Sequence, residues 1–260
     1  MLESCRFLLM KKIGRFLFSL YLWLVVGFIT TLISCLILLS TPLSLLDRKR
    51  RFAHRLGTVW GTLLIRLNPF WRIRILGAEH IGKGKSYVLV ANHASLADIV
   101  CLFAIRHQFK WLAKKSLFRI PFLGWSMSAM GYIPLERGKH GSIRDSYHQA
   151  LEWLRKNISI LIFPEGTRSR SGQMGHFKSG AFRLAIESGR PVLPIVLAGT
   201  QQVISKGRAG FGKLGAAYLS ALPAVETKGF REKDEELLRK KVEKLMAGEL
   251  ARLNRIIART

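Results

Sequence analysis

The sequence predicts an α/β domain, a mixed and partly parallel sheet covered by helices, with an N-terminal apolar helical segment that is either a membrane span or a hairpin. Three observations predict it. No residue from Phe16 to Leu46 is charged, about 31 positions, where one bilayer span needs about 20. From Gly77 onward, short β-rich apolar runs alternate with amphipathic stretches, the texture of strands joined through helices. Lys and Arg outnumber Asp and Glu 42 to 16, a formal net charge of +26, in a chain that is 49% hydrophobic.

The apolar block exceeds a signal-peptide core of about 7 to 15 residues. Lys11, Lys12 and Arg15 precede it and Arg48, Lys49, Arg50 and Arg51 follow it, so charge on both flanks sets no orientation. That symmetry suits a hairpin dipping into one leaflet as well as a span; Gly27 and Thr30-Thr31 could mark the bend or lie inside an ordinary membrane helix. Residues 1–58 are therefore expected as a membrane-associated helical segment and residues 59–260 as the α/β domain. Membrane lipid explains both the positive charge and the apolarity, whereas nucleic acid explains only the charge, so no nucleic-acid partner is expected. Leu32-Ile33-Ser34-Cys35 imitates a lipoprotein processing site, but the apolar run continues through Leu46. Cys5, Cys35 and Cys101 are too few and too scattered for a disulfide framework or zinc site, which favours a reducing compartment.

Candidate strands are Tyr87 to Ala91, Phe109 to Ala113, Tyr132 to Leu135, Ser159 to Phe163 and Val192 to Leu197. Candidate helices are Leu96 to Ile105, Ser116 to Met130, Ile143 to Lys156 and Lys178 to Ser188, the last stopped by Gly189 and Pro191. The motif core spans 87–197, a basic loop covers 205–215, and an amphipathic helix is expected over 231–258, packed on the core or lying on a bilayer.

His93 falls where the run Tyr87 to Ala91 ends and a helix begins, the strand end at which α/β sheets place reactive groups. On one continuous helix Asp98 would point about 140° away from His93, so the pair converges only across a strand-to-helix turn. An imidazole held by a carboxylate has a fixed tautomer and can take a proton from a hydroxyl near neutral pH. The competing reading is a capped helix: Ser95-Leu96-Ala97-Asp98 is a capping-box variant in which Asp98 binds back to the turn. An oxyanion formed nearby would need donors, for which backbone N–H groups of the turn are candidates.

Four further blocks keep company with this pair. Asn92 to Asp98 is followed by Lys114-Lys115-Ser116-Leu117-Phe118-Arg119-Ile120-Pro121-Phe122-Leu123-Gly124, then Gly131-Tyr132-Ile133-Pro134-Leu135-Glu136-Arg137, then Phe163-Pro164-Glu165-Gly166-Thr167-Arg168-Ser169, then Val192-Leu193-Pro194-Ile195. In these the sequence resembles the glycerolipid acyltransferase family, specifically the bacterial 1-acyl-glycerol-3-phosphate (lysophosphatidic acid) acyltransferases; Leu193 stands where the family usually has Val. The resemblance implies that His93 is the general base, Asp98 its orienting partner, and Lys114 and Arg168 the grip on the acceptor's phosphate, with Glu165, Gly166 and Thr167 shaping that site. A guanidinium fork meets phosphate bidentately and a lysine adds a point charge, which suits these roles, although Arg168 could instead pair with Glu165 or face solvent. Arg137 either joins the phosphate site, pairs with Glu136 or faces water.

The implied reaction moves a fatty acyl group from acyl-CoA or acyl carrier protein to the sn-2 hydroxyl of lysophosphatidic acid, giving phosphatidic acid, with no cofactor and no metal. The implied place is the cytoplasmic face of a bacterial inner membrane. Other acceptors within the family are glycerol-3-phosphate, a lysophospholipid or a lyso-ornithine lipid. A thioester hydrolase using the same pair on water, and a basic membrane scaffold, are the rivals from other classes. Gly207 to Leu214 nearly spells a phosphate loop but has Leu214 where a magnesium-binding hydroxyl belongs. Gly124-Trp125-Ser126-Met127-Ser128 lacks the second glycine of a nucleophile elbow.

Overall fold

The β-rich runs close into one seven-stranded sheet. The computed structural model describes residues 2–68, 71–169, 172–203 and 215–259; the basic loop 205–215, with its phosphate-loop look-alike, lies outside them save for Gly215. Along the chain come α1 (Leu2–Leu39), α2 (Arg51–Arg66), β1 (Trp71–Leu76), β2 (Val88–Ala91), α3 (Ala97–Phe103), β3 (Phe109–Lys114), α4 (Leu123–Ala129) and β4 (Ile133–Leu135). There follow α5 (His140–Arg155), β5 (Ser159–Ile162), α6 (Gly180–Ser188), β6 (Val192–Ala198), β7 (Gly215–Ala221) and α7 (Glu235–Ala258). The strand order is β1-β7-β6-β2-β5-β3-β4. All neighbours are parallel except β6 and β7, so the sheet is mixed, as expected.

Helices cover both faces, which is why the central strands are apolar on both sides. Leu89 and Ala91 of β2, with Phe109, Trp111 and Leu161, join a core shared with α1, α2 and α3. Val88 and Val90 face the other way, toward Leu154, Phe182, Leu238, Val242 and Met246 of α5, α6 and α7. The C-terminal helix thus packs on the core, and its register from Leu238 through Leu253 is buried.

The structure decides one reading left open by the sequence and departs from others. The N-terminal segment does not bend at Gly27 or Thr30-Thr31: α1 is one uninterrupted helix, and Thr30 Oγ1 accepts a hydrogen bond from Trp60 Nε1 of α2 at 3.0 Å. The reversal comes later, at Ser40–Arg50, and α2 runs unbroken through position 58. Close approach of α2 to α3 depends on Gly61, where a Cβ would lie 2.7 Å from Phe103 Cβ. The expected helix Ser116 to Met130 is split into a 3-10 turn, Lys115–Arg119, and α4, because Pro121 drives Ile120 into an extended conformation. Finally, the sheet has two strands beyond the five expected, β1 and β7; they form a parallel pair at one edge, and β7 runs antiparallel to its other neighbour, β6.

Along α1, Leu22, Ile29, Ile33 and Ile37 form a buried stripe against the domain, and Ser34 Oγ meets Ser126 Oγ of α4 at 3.1 Å. Phe16, Leu20, Leu24, Phe28, Leu32 and Leu36 line the opposite side in the open. The stretch Phe16–Leu39 is long and apolar enough to cross a membrane, and only 28% of its most apolar window is buried.

Candidate active site

At the end of β2 the chain leaves the ladder because Asn92 replaces it: the side chain donates Nδ2 to the Leu197 carbonyl at 2.9 Å and accepts the Leu197 amide on Oδ1 at 2.8 Å. In the sequence Asn92 only opens the segment Asn92 to Asp98, and nothing local marks this role. The next residue is His93, whose ring stacks on Phe163 with centroids 4.0 Å apart. Its Nδ1 lies 2.8 Å from Asp98 Oδ2, the His93 side chain being 13% exposed and Asp98 fully buried. Because a carboxylate only accepts, this contact places the proton on Nδ1 and the lone pair on Nε2.

The same Oδ2 accepts the amides of Ala94 at 2.7 Å and Ser95 at 2.8 Å. The capping and orienting readings of Asp98 are therefore one arrangement, built on a single oxygen. Oδ1 is buried with no hydrogen-bond partner among the described residues. Ser95 Oγ accepts the Ala97 amide at 3.1 Å, and the His93 amide goes to Glu165 Oε1 at 2.8 Å. The amides of residues 94, 95 and 97 are thus engaged within the turn, and that of His93 by Glu165. One turn further on, Cys101 is fully buried, and its thiol is pushed well above the ordinary range by burial and by the Asp98 charge. It is no nucleophile.

Glu165 is buried between two loops, accepting the His93 amide on Oε1 and the Gly175 amide on Oε2 at 2.8 Å. Burial pushes its carboxyl above the ordinary range, against the pull of those two amides. Gly166, at φ +72°, turns the chain just beyond β5, its amide bonding back to the Phe163 carbonyl at 3.0 Å. A Cβ there would lie 3.3 Å from Lys178 Nζ, so a lysine that the sequence marks only as a helix start lies against this turn. Thr167 is exposed and Arg168 half-buried. The Ser169 amide then donates to the His93 carbonyl at 2.8 Å, so the β5 loop holds His93 from both sides of its peptide.

Lys114 ends β3 and is exposed; in register it pairs with Leu135, the last residue of β4, after which Arg137 is exposed as well. Because β2, β5, β3 and β4 are successive parallel neighbours, His93, Arg168, Lys114 and Arg137 all sit at the C-terminal edge of one parallel sheet. Glu136 is held by Lys115 at 3.2 Å and Lys139 at 2.6 Å, and not by Arg137.

The Acyltransferase family model matches residues 72–198, which takes in every one of these positions. A 1-acyl-sn-glycerol-3-phosphate acyltransferase of Borreliella burgdorferi is 31% identical over 168 residues, covering 64% of this chain and 67% of that protein. The chain belongs to the 1-acyl-sn-glycerol-3-phosphate acyltransferase family. The chloroplastic family member LPAT1 of Arabidopsis thaliana is 36% identical over 202 residues, 76% of this chain and 56% of that protein. The chain spans about half the length of the curated plant and algal relatives it matches, between 49% and 56%. The crystal structure of the 1-acyl-sn-glycerophosphate (LPA) acyltransferase PlsC from Thermotoga maritima superimposes with a TM-score of 0.81 at 29% identity, over 94% of this chain and 97% of that one. The acyltransferase fold therefore includes the N-terminal helices and the β1/β7 edge as well as the motif core.

Proposed function

We propose that this chain transfers a fatty acyl group from an acyl-CoA or acyl carrier protein thioester to the sn-2 hydroxyl of 1-acyl-glycerol-3-phosphate, forming phosphatidic acid. The observation that carries the reading is the His93 Nδ1 to Asp98 Oδ2 contact of 2.8 Å, set at the same sheet edge as two cations able to hold a phosphate. His93 Nε2 takes the hydroxyl proton as the oxygen attacks the thioester carbonyl; the carbon–sulfur bond breaks and the imidazolium returns the proton to the departing thiolate. Asp98 offsets the imidazolium charge meanwhile. Arg168 and Lys114 grip the acceptor phosphate, with Glu165, Gly166 and Thr167 shaping the loop that presents Arg168. No covalent intermediate is required, which accords with the inert Cys101, and no metal or resident cofactor enters the scheme.

The exposed apolar side of α1 supports attachment to a membrane, where the lysolipid and its product both partition. We place the enzyme at the bacterial inner membrane with its catalytic domain on the cytoplasmic face, where both thioester donors are found.

Membranes carrying the protein, given labelled acyl-CoA or acyl carrier protein and lysophosphatidic acid, should form labelled phosphatidic acid. Absence of product, or equal product from His93→Ala, overturns the reading. Release of free fatty acid at the same rate with and without acceptor would instead mark a thioester hydrolase.

A further inference from the structure

At the other end of the sheet a cleft of about 370 Å³ is lined by Arg51, His54, Arg55, Thr58, Arg106 and Gln108. Gln108 directly precedes β3, and Lys114 at its far end is six residue steps away, about 20 Å along a strand. The cleft is therefore separate from the candidate active site. Arg51 and Arg55 lie four apart on α2 and share one face of the helix. Arg106 joins them from the loop between α3 and β3, with its backbone held at φ +52°.

Among the described residues none of these three arginines is in an ion pair. The acid nearest in sequence, Asp47, gives its Oδ2 to the Phe52 amide at 2.7 Å. Three guanidinium groups sharing a cleft beside the positive end of a helix repel one another, and an anion relieves that repulsion. Solvated arginines alone would need no more explanation than this.

His54 is what distinguishes the cleft from a merely basic surface. It is the one buried residue of the six, 5% exposed. Its Nε2 lies 3.0 Å from the His107 carbonyl, so Nε2 carries the proton and Nδ1 is a bare acceptor. That Nδ1 is buried and has no hydrogen-bond partner among the described residues. Burial, first of all, holds the imidazole neutral by lowering its pKa to about 3. Cations that want a negative charge thus adjoin an acceptor that wants a donor hydrogen.

We propose that this cleft binds a phosphate ester that also carries a hydroxyl. The phosphate oxygens meet the forks of Arg51, Arg55 and Arg106, and the hydroxyl donates to His54 Nδ1. Two sources carry that chemistry, the headgroup of a hydroxyl-bearing anionic phospholipid and a free phosphate with a protonated oxygen.

Calorimetric titration of the full chain in neutral detergent tests the proposal, using dihexanoyl phosphatidylglycerol and inorganic phosphate as separate probes. A saturable site is expected that weakens at least tenfold in Arg55→Gln/Arg106→Gln and is unchanged in Arg168→Ala. The charge-retaining Arg55→Lys/Arg106→Lys should bind within a few fold of wild type, which keeps the test meaningful if the neutral pair folds poorly. Sulfate, having the charge but no O–H at neutral pH, should bind less tightly than phosphate. Saturation by phosphatidylglycerol alone assigns the site to a lipid headgroup, and saturation by inorganic phosphate assigns it to a free phosphate. Absence of a saturable site for either probe, or binding that survives the glutamine pair but is lost in Arg168→Ala, overturns the proposal.

Discussion

Glu165 holds His93 through the backbone and not through the imidazole: Oε1 accepts the His93 amide at 2.8 Å while Oε2 accepts the Gly175 amide at the same distance. A residue that the family resemblance places in the phosphate site is thus also the clamp that fixes where the candidate base begins. Glu165→Gln keeps the size but presents one acceptor and one donor to two amide donors, leaving one N–H facing N–H. We expect a loss of about 1–3 kcal/mol in stability from the unmet pair and a lower kcat with the lysophosphatidic acid KM little changed. Thermal unfolding and steady-state kinetics on the same preparation check it; wild-type kcat would show that the clamp does not matter to the base.

Asp98 is expected to separate structure from charge. In Asp98→Asn the side-chain oxygen can still accept the Ala94 and Ser95 amides, but the new NH2 takes the place of Oδ1, which is buried with no partner among the described residues. A penalty of about 1–3 kcal/mol follows from that orphaned donor. Because a neutral amide cannot offset an imidazolium, kcat should fall by on the order of 10⁴, as carboxylate-to-amide exchange does in a comparable His-carboxylate pair. A folded variant with kcat within tenfold of wild type would contradict the assignment of His93 as base.

Much of this site is legible along the chain because its geometry is short-range. His93 and Asp98 are five residues apart, and one strand-to-helix turn suffices to join them. What the sequence did not disclose depends on partners distant in it: the Asn92 bridge to Leu197 spans 105 positions and that of Glu165 to His93 spans 72. Lys178 reads as a helix start, and only the fold lays it on Gly166. The missed strands differ from one another. In β1, Arg72 and Arg74 alternate with Ile73 and Ile75, a period-two pattern on an edge strand that is weaker than the apolar runs after Gly77. In β7, Gly215-Ala216-Ala217 has little β propensity, and pairing with β1 and β6 supplies what the residues lack. Lys110, an ordinary alternating charge by sequence, is fully buried in β3, with Nζ donating to the Met130 carbonyl at 2.6 Å and lying 4.7 Å from the Trp153 ring centroid.

Arg168→Ala should separate acceptor from donor recognition. Loss of a charge-assisted contact to phosphate is worth about 1.5–3 kcal/mol, or roughly ten- to hundredfold in acceptor KM. Slow hydrolysis of acyl-CoA without acceptor should stay near wild type. Lys114→Ala should act in the same direction but less strongly, since an exposed ammonium offers a point charge and no fork. Unchanged acceptor KM in both variants would make the two cations structural.

The pH dependence of stability is set in part by two imidazoles that burial keeps neutral. Burial, first of all, lowers the pKa of His54 to about 3 and that of His107 to about 4. His107 Nε2 is within 2.7 Å of Ser159 Oγ, which also accepts the Tyr87 amide, so its neutral form is built into the β2/β5 junction. Below the ordinary histidine value near 6.5 the unfolded chain takes up protons that the folded chain refuses. The stabilisation is whole above that value and is lost as the pH falls through it toward about 4 for His107 and about 3 for His54. At about 1.4 kcal/mol per pH unit for each group, lowering the pH from 7 to 5 removes about 2 kcal/mol per histidine. The full chain in neutral detergent should show a lower Tm at pH 5 than at pH 7. His107→Gln, which retains a polar side chain but does not titrate, should recover about half of the difference. A Tm that is flat between pH 7 and pH 5, or a drop undiminished in His107→Gln, would place the acid sensitivity elsewhere.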